Sequence, residues 1–423
     1  MRKIAFVFPG QGSQVVGMNK ELCNEFQTAK NIFEQANDIL GYDQMNLCFS
    51  GNNEDLKKTE NAQPALVTSA YASYKVFQEE LGIKPDFLAG HSIGEFSALT
   101  CSGAIEFKDV LLIVKRRGQL MQEASALGLG TMAAVNGIGP DVVEQEITSS
   151  YGDNKDVGIA CYNAPQQTVI SGIKEAVEKL CDVFKAKGAT CIILNVSAPF
   201  HCRIMEPARD KFKTELSQYK FGDLSIPVIA NVDAKPYNGR ENMVSNLTEQ
   251  LVQPVRWTET VELLAQNGID TAFEMGPKNV LQKLMSHIKP DIKTFSFYKK
   301  GDVETARNYL NQVDNVAVNG ADLMKVLTRS MAICVCTKNS NWDNDEYQKG
   351  VIDPYRKIKS LQEELEKENK IPSVEQAKEA ILMLNSVFVT KKTPEQERKQ
   401  RFEQLLTESN TKSLFADFVN SLN

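Results

Sequence analysis

PDFLAGHSIGEFSALTC (residues 85–101) carries the strongest indication of the fold. Its apolar first part predicts a buried strand, and the residues after Gly94 predict a helix. Gly90 and Gly94 lie two residues before and two residues after Ser92, where small residues allow a tight, strained turn from strand to helix. The letters G-x-S-x-G alone also fit a purely structural turn. The flanking strand and helix favour Ser92 as a nucleophile in an α/β domain.

The segments around this stretch alternate short apolar runs with amphipathic ones, which is typical of an α/β domain. Ile4–Phe8 is predicted to be a buried strand, and helical periodicity follows in Gly17–Leu40 and Gln63–Leu81. Strand candidates return at Val228–Val232 and Thr271–Met275. The large subdomain is therefore predicted to be discontinuous, with another segment inserted into it.

The inserted segment, from Gly130 to Val196, has a different order of elements. Its apolar and amphipathic stretches follow the order βαββαβ, which is the ferredoxin-like pattern. The predicted boundaries are 1–128 for the first part of the large subdomain, 129–197 for the small subdomain, 198–300 for the second part of the large subdomain and 301–423 for a C-terminal extension.

The C-terminal extension has almost no strand signal, and its segments rich in Glu, Lys, Gln and Leu predict an all-helical region. The predicted helices are Ala321–Cys336, Lys357–Lys370, Val374–Val389 and Pro394–Glu408. Apolar stripes at helical spacing are formed by Ile381, Leu382, Leu384 and Val387 and by Phe402, Leu405 and Leu406. A lone helix in water would leave such a stripe exposed, so the extension is predicted to pack as a helical layer on the α/β domain.

Composition argues against several classes of protein. The chain has 423 residues and a net charge of −6, whereas a nucleic-acid binder needs a basic surface. It has three histidines, and its nine cysteines contain no C-x-x-C pair, so no metal site is expected. No apolar run reaches the roughly 18 residues of a membrane helix, and no export signal is visible at the N-terminus. A cytoplasmic protein with free thiols is therefore expected.

A nucleophilic serine needs a base, and histidine is the usual one. His201 follows a proline-bearing turn at the point where the chain re-enters the large subdomain, so it is the predicted base. His91 is next to Ser92 in sequence, and its side chain must leave the turn in another direction. It is interpreted as mainly structural. His287 lies at the polar end of a helix and is expected to be exposed to solvent.

PGQGSQ (residues 9–14) follows the first strand, and its two glycines allow the backbone to approach a ligand closely. Phosphate binding is one interpretation, but the loop has neither the Walker lysine nor the G-x-G-x-x-G spacing. An oxyanion hole fits better, with the main-chain N–H groups of Gln11 and Ile93 as its donors.

Taken together, these motifs resemble the malonyl-CoA:acyl carrier protein transacylases and the acyltransferases of polyketide synthases, including the stand-alone, trans-acting type. The resemblance covers about the first 290 residues. The matching motifs, in the family's order and at its spacing, are PGQGSQ (9–14), GHSIGE (90–95), RRG (116–118), NAP (163–165), SAPFH (197–201) and QLVQPVRW (250–257). One departure is Gly276-Pro277-Lys278, where the family has Gly-Pro-Gly.

The resemblance implies an α/β-hydrolase-like large subdomain with an inserted ferredoxin-like subdomain. It implies that Ser92 is the nucleophile and His201 its base, with the main-chain carbonyl of Gln250 orienting the imidazole in place of a carboxylate. It also implies that Arg117 pairs with the malonyl carboxylate, whereas sequence alone favours a solvated helix face for this residue. Phe200 resembles the malonyl-selective version of its motif, because a bulky ring leaves little room for an α-methyl branch. The predicted substrate-binding residues are Arg117, Phe200, Gln11 and His91.

The implied reaction transfers malonyl from malonyl-CoA to the phosphopantetheine thiol of an acyl carrier protein. The enzyme is expected to be a monomer and to use no metal or other cofactor. Two alternatives stay open: a hydrolase of the same fold that edits carriers, and a non-catalytic docking protein. A carboxylate clamp at Arg117 argues against a hydrolase of neutral acyl groups, and the complete set of functional groups argues against the docking protein. The resemblance leaves the extension unexplained. The preferred context is a polyketide assembly line without its own acyltransferase domains, ahead of fatty-acid synthesis.

Overall fold

The structure is a computed structural model, and it describes residues 2–125, 130–152, 156–196, 198–317 and 320–422. The chain separates into two units, Met1–Ala306 and Arg307–Asn423. Ser197, the predicted end of the small subdomain, and residue 129, its predicted start, lie outside the described residues. The subdomain boundaries therefore stay predictions.

The described residues form nine strands and twenty α-helices. The strands are β1 (Ile4–Phe8), β2 (Phe87–Gly90), β3 (Gly130–Asn136), β4 (Val157–Ala164), β5 (Gln167–Ile173), β6 (Thr190–Ile193), β7 (Val228–Ile229), β8 (Thr271–Met275) and β9 (Lys293–Phe297). The helices are α1 (Lys20–Glu25), α2 (Gln27–Leu40), α3 (Gln44–Ser50), α4 (Asn53–Lys57), α5 (Thr59–Leu81), α6 (Ile93–Cys101), α7 (Phe107–Ser125), α8 (Pro140–Tyr151), α9 (Lys174–Ala186), α10 (Glu206–Leu216), α11 (Met243–Glu249), α12 (Trp257–Gln266), α13 (Val280–Ile288), α14 (Lys300–Ala317), α15 (Gly320–Cys336), α16 (Asn344–Tyr347), α17 (Asp353–Lys367), α18 (Val374–Thr390), α19 (Glu395–Glu408) and α20 (Lys412–Asn420).

The larger sheet is parallel and has the strand order β7-β2-β1-β8-β9. Every residue of β1 is buried, as expected for the central strand of a parallel sheet. The ring of Phe6 packs against Phe77 of α5 and Phe273 of β8, with centroid distances of 4.7 and 6.1 Å. The carboxyl ends of β1 and β2 lie side by side. The loops that carry Gln11 and Ser92 start at these two ends.

The smaller sheet has the order β4-β5-β3-β6, and all three of its pairings are antiparallel. With α8 after β3 and α9 after β5, this is the ferredoxin-like arrangement that the βαββαβ pattern predicts. Leu180 and Phe184 of α9 are buried in one cluster with Val135 and Ile170 of the sheet. The predicted fold class, an α/β domain with an inserted ferredoxin-like sheet and a helical C-terminal part, is confirmed.

Two elements of the larger subdomain differ from the sequence-based expectation. The segment predicted as one helix, Gly17–Leu40, contains two helices, because Phe26 has an extended backbone with φ −114° and ψ 116°. The edge strand β9 was not expected from the sequence. Its residues before Phe297 are only partly buried or exposed, so the strand lacks a continuous apolar signal.

The helices of the second unit have a hydrophobic core of their own. Ile381 and Leu384 of α18 are buried in it together with Phe402 and Leu405 of α19. Leu382, which belongs to the predicted stripe, is 46% exposed because it lies outside the buried face of α18. The extension thus supplies partner surfaces for its own apolar stripes. They do not require the surface of the α/β domain, and packing on that domain stays a prediction.

The described part of the chain contains no membrane-spanning helix, no disulfide bond and no cluster of metal ligands. None of its helices is both long enough and apolar enough to cross a membrane. All nine cysteines belong to this part, and each is a free thiol. Within the same ranges, no group of three or more His, Cys, Asp or Glu side chains is arranged to hold a metal ion.

Candidate active site

The turn after β2 places Ser92 at the start of α6. Ser92 has φ 52° and ψ −112°, and a strained backbone of this kind costs about 1–3 kcal/mol. A Cβ atom on Gly90 would lie 1.9 Å from the carbonyl carbon of Gly94, and one on Gly94 would lie 2.0 Å from the carbonyl oxygen of Phe8. The two glycines are therefore what allows the chain to turn this sharply, as the G-x-S-x-G pattern predicts.

Ser92 and His201 form a hydrogen-bonded pair. Oγ of Ser92 lies 2.7 Å from Nε2 of His201, and Nδ1 of His201 lies 2.7 Å from the main-chain oxygen of Gln250. A carbonyl oxygen can only accept, so Nδ1 carries the proton and Nε2 accepts from the serine hydroxyl. The carbonyl of Gln250 thus holds the imidazole in the tautomer that a general base needs, without a carboxylate.

The environment of His201 keeps its imidazole neutral. Burial, and after it the positive charge of Arg117, lowers the pKa of His201 to about 3. At neutral pH the ring is therefore free to accept the proton of Ser92. The backbone of His201 is left-handed as well, with φ 58°. Both members of the pair are held in conformations that neighbouring contacts must maintain.

A network of buried polar side chains binds the backbone of the turn at Gly90 and Ser92. Asn231, shortly after β7, accepts the Ser92 N–H at 2.7 Å through Oδ1 and donates to the Gly90 carbonyl at 2.6 Å through Nδ2. The side-chain amide of Gln250 donates to the Ser92 carbonyl at 3.0 Å and to Glu95 at 2.6 Å. The peptide groups on both sides of Ser92 are thus fixed by side chains from the second half of the subdomain.

Glu95 is the buried carboxylate at the centre of this network. It accepts the Tyr237 hydroxyl at 2.6 Å, the Gln250 amide, and the Asn231 N–H at 3.2 Å. Burial raises the pKa of Glu95 to about 7, although these donors and Arg117 act in the opposite direction. Sequence reasoning missed the network. The place of Glu95 in GHSIGE was an available signal, whereas Asn231 and Tyr237 belong to no motif.

Arg117 of α7 lies beside this network, 1% exposed, and is not among the residues that line the cavity described below. Its Nη2 donates to Oε1 of Gln250 at 2.8 Å, and its guanidinium carbon lies 5.5 Å from the centre of the Phe96 ring. Burial, opposed by Glu95, lowers the pKa of Arg117 to about 9, so the group stays cationic at neutral pH. Nε of Arg117 is buried without a hydrogen-bond partner among the described residues. One donor is therefore unsatisfied.

A cavity of about 260 Å³ opens in front of Ser92 and His201. Its other lining residues are Gly10, Gln11, Gly12, Ser13, His91, Met132, Cys161, Asn163, Val169, Leu194, Val196, Phe200, Val280, Leu281 and Leu284. Three of the predicted substrate contacts, Gln11, His91 and Phe200, belong to this lining. Most of the other lining side chains are apolar, which suits a largely uncharged ligand with a few polar groups.

The loop after β1 presents a main-chain donor at the edge of the cavity. The Gly10 carbonyl accepts from the Ser13 hydroxyl at 2.7 Å and from the Ser13 N–H at 3.3 Å. The Gln11 N–H donates to no acceptor among the described residues. The Ile93 N–H, at the first position of α6, has no intrahelical acceptor either. Two unengaged main-chain donors of this kind are what an oxyanion hole needs.

A comparison with protein families matches residues 5–306 to the acyl transferase domain. The chain belongs to the acyl transferase domain family. Among its relatives, this acyl transferase is 38% identical to a malonyl CoA-acyl carrier protein transacylase of Bacillus subtilis over 394 residues, which are 93% of this chain and 98% of that protein. A match over 93% of this chain extends well into the C-terminal extension.

Two further similarities cover mainly the first unit. The acyl transferase is 41% identical to the malonyl CoA-acyl carrier protein transacylase of Escherichia coli (strain K12) over 289 residues, or 68% of this chain and 93% of that protein. It is also similar to the solved structure of a malonyl-transacylase in complex with its type II PKS acyl-carrier protein, with 40% identity and a TM-score of 0.70. That similarity covers 72% of this chain and 98% of the other.

The two remaining histidines of the acyl transferase differ in their surroundings. Nε2 of His91 lies 2.9 Å from Oδ1 of Asn163, and the ring lies 5.8 Å from that of Trp257. Burial lowers the pKa of His91, so the neutral ring donates from Nε2 to the Asn163 oxygen. This contact supports the structural interpretation of His91, and a substrate contact stays a prediction. His287 is exposed, as expected.

Proposed function

We propose that the protein transfers malonyl from malonyl-CoA to the phosphopantetheine thiol of an acyl carrier protein, through an ester on Ser92. The observation that carries the proposal is the hydrogen-bonded pair of Ser92 and a neutral, oriented His201 at a mainly apolar cavity. Membership of the acyl transferase domain family supports the reaction class. The relatives' shared name, malonyl CoA-acyl carrier protein transacylase, supports the choice of donor and acceptor.

In the first half-reaction, Nε2 of His201 takes the proton from Oγ of Ser92 as that oxygen attacks the thioester carbon. The carbonyl oxygen becomes an oxyanion, which accepts from the N–H groups of Gln11 and Ile93. When the carbon–sulfur bond breaks, the imidazolium gives its proton to the departing thiolate of coenzyme A. Malonyl then remains on Ser92 as an ester.

The second half-reaction runs the same steps with the carrier thiol as nucleophile. His201 takes the thiol proton, the thiolate attacks the ester carbon, and the proton returns to Oγ of Ser92 when the carbon–oxygen bond breaks. Because burial disfavours the imidazolium, His201 passes its proton on readily in both halves. Transfer by two such halves with a covalent intermediate is a ping-pong mechanism.

Arg117 is the proposed partner of the malonyl carboxylate. Two observations support this role: its Nε is an unsatisfied buried donor, and its Nη2 is bound to the same Gln250 side chain that contacts the Ser92 carbonyl. A guanidinium matches a carboxylate in shape and charge. Phe200, at the cavity wall, is proposed to limit α-branched acyl groups by size.

The editing hydrolase is the alternative that uses the same serine and histidine. It would need water to attack the Ser92 ester, and it would act on neutral acyl chains. The buried cation at Arg117 favours the malonyl transferase over this alternative, because a neutral acyl chain offers it no carboxylate. A non-catalytic docking protein would not need the hydrogen-bonded pair of Ser92 and His201.

The proposal includes a cytoplasmic, monomeric enzyme that uses no metal or other cofactor. The nine free thiols suit a reducing compartment. Its partner would be a carrier of polyketide or fatty-acid synthesis, with polyketide synthesis as the preferred context. The net charge of −6 does not favour nucleic acid as a partner.

Intact-mass measurement after mixing the protein with malonyl-CoA tests the proposal. The wild-type protein and the control Ser286→Ala, which alters an exposed serine, should each gain one malonyl group. Ser92→Ala should gain none. His201→Ala should acylate roughly 10²-fold or more slowly, as expected for loss of a general base. A malonyl adduct on Ser92→Ala would place the nucleophile elsewhere, and an ester that water removes faster than a carrier thiol does would favour the hydrolase.

A further inference from the structure

The proposed function gives no role to the turn Gly276-Pro277-Lys278 before α13, whose third residue is a lysine. Lys278 has φ 67°, a left-handed conformation that favours glycine and is costly for a long side chain. Contacts made by the side chain can offset this cost. The question is therefore what the lysine contacts.

The ammonium group of Lys278 binds the loop after β1. Nζ donates to the main-chain oxygen of Gly12 at 2.8 Å. The two turns also pack directly, since a Cβ atom on Gly276 would lie 2.9 Å from Cγ of Pro9. Partial burial lowers the pKa of Lys278. Lys278 thus joins the turn before α13 to the loop that carries Gln11.

Lys278 is not the only contact of this part of the loop, since the Gly12 N–H donates to Oε1 of Gln14 at 2.7 Å and Nε2 of Gln11 donates to Oγ1 of Thr59 at 3.2 Å. The bond at Gly12 stays within the loop, whereas Lys278 ties the Gly12 carbonyl to the turn before α13. The Ser13 hydroxyl and N–H hold the Gly10 carbonyl, and in a trans peptide this directs the Gln11 N–H to the opposite side. Gly12 is exposed, has φ 102°, and a Cβ atom there would meet nothing within 4 Å. Such a glycine can change its backbone angles easily, and a change there would move the Gln11 peptide as well.

The turn that carries Lys278 is itself firmly attached to the large sheet. Glu274, in β8, accepts the N–H groups of Leu281 and Gln282 at 3.0 and 2.9 Å, at the start of α13. These two hydrogen bonds fix the backbone that follows Gly276-Pro277-Lys278. They also hold the N-terminus of α13, whose Leu281 lines the cavity. Lys278 therefore extends to the loop from a turn whose neighbouring backbone is fixed by hydrogen bonds.

We propose that Lys278 is a positioning residue that holds the loop of Gln11 and Gly12 so that the Gln11 N–H faces the oxyanion formed at Ser92. Lys278 acts through the Gly12 carbonyl and does not touch the substrate. The inference rests on the proposed acylation of Ser92. The Gln11 N–H stabilises the oxyanion only in the transition state. By aligning this donor, Lys278 therefore affects the rate of acylation and not the binding of malonyl-CoA.

The test compares Lys278→Gly, Lys278→Arg and the control Lys283→Ala, which alters an exposed lysine on α13. Glycine keeps the left-handed backbone and removes only the side chain. Lys278→Gly should lower the acylation rate constant roughly tenfold, less than the 10²–10³ that follows complete loss of an oxyanion donor. Rapid-quench measurements of Ser92 ester formation give this rate constant, and its dependence on malonyl-CoA concentration gives the KM.

We expect Lys278→Gly to keep the wild-type KM and Tm, Lys278→Arg to recover most of the rate, and Lys283→Ala to match the wild type. A Lys278→Gly protein that acylates at the wild-type rate would overturn the inference. So would a raised KM with an unchanged rate constant, because it would show that Lys278 binds the substrate. A slower rate that Lys278→Arg does not restore would also count against it. A wild-type protein that forms no Ser92 ester would instead refute the proposed function.

Discussion

At the residue scale, a main-chain carbonyl orients His201, the proposed base, and the buried carboxylate of Glu95 lies one contact further away. Glu95 reaches His201 only through Gln250, whose side chain it binds while the main-chain oxygen of Gln250 accepts the imidazole proton. A carboxylate in direct contact would raise the pKa of the imidazole, whereas a carbonyl has no full charge. Desolvation therefore dominates, and the imidazole of His201 stays unprotonated well below neutral pH.

This environment predicts an unusual pH dependence of acylation. A pKa of His201 lowered to about 3 means that the neutral ring persists as the pH falls from 6 to 5. The acylation rate constant should change little in this interval, whereas a histidine with an ordinary pKa near 6.5 would lose roughly eightfold. Burial raises the pKa of Glu95 to about 7, which lies above this interval.

Rapid-quench acylation at pH 6, 5.5 and 5 measures this dependence, and circular dichroism at each pH controls for unfolding. A rate that falls with an apparent pKa near 6.5 would contradict the prediction, and would mean that water reaches His201.

Arg117 carries the prediction about substrate choice. Arg117→Ala should impair malonyl transfer much more than acetyl transfer, because only malonyl offers a carboxylate to the guanidinium. Loss of a buried, charge-assisted contact costs about 2–5 kcal/mol. The measurement is kcat/KM for malonyl-CoA and acetyl-CoA.

The matched control is Arg116→Ala on the same helix, where the side chain is 39% exposed and pairs with Glu123. It should leave both substrates nearly unaffected. If Arg117→Ala impaired both substrates equally, its role would be structural, because Gln250 would have lost its partner.

At the scale of elements, the unit formed by β2, the sharp turn and α6 depends on close backbone contacts. Gly94→Ala should destabilise the protein by more than about 4 kcal/mol or prevent folding, because the added Cβ would lie 2.0 Å from the Phe8 carbonyl oxygen. Gly158→Ala in β4 is the matched control, since its Cβ would meet nothing within 4 Å.

Urea denaturation of both variants gives the free energy of unfolding. The control should stay close to the wild-type value. A Gly94→Ala protein of wild-type stability would show that β1 and α6 can separate without cost, and that the glycine is not needed for the turn.

Elements with strong local patterns were predictable, and those without were not. β1 and α5 have continuous or periodic apolar residues, so their type is readable from the sequence. The break at Phe26 gives no local sign, because this residue is not a helix breaker and its extended backbone comes from its surroundings. The edge strand β9 is only partly buried, and therefore lacks the apolar run of a central strand.

At the scale of the whole molecule, the catalytic motifs and the family match lie in residues 5–306, and the extension has a core of its own. A chain that ends at Ala317 should therefore still form the Ser92 ester with malonyl-CoA. We propose that the extension serves carrier recognition or stability and not chemistry, so transfer to the cognate carrier should be weaker. Intact mass measures the ester, and a carrier-loading assay measures the transfer.

Ser92→Ala in the shortened chain is the control for specific acylation. A soluble shortened enzyme that cannot form the ester would contradict this prediction, and would assign part of the active site to the extension. An insoluble product would indicate that the extension contributes to stability, which is the other role proposed for it.

The sequence by itself determined the order of the α/β and βαββαβ segments and the sharp turn at Ser92, and it singled out His201 as the proposed base. These depend on local periodicity, on small residues at fixed spacing and on the few histidines available. Only the tertiary structure decided which distant polar groups meet. Asn231 lies 139 residues from Ser92, and Lys278 lies 266 residues from Gly12, yet each pair is hydrogen-bonded. Such contacts follow from how the strands and turns pack, which no local pattern specifies.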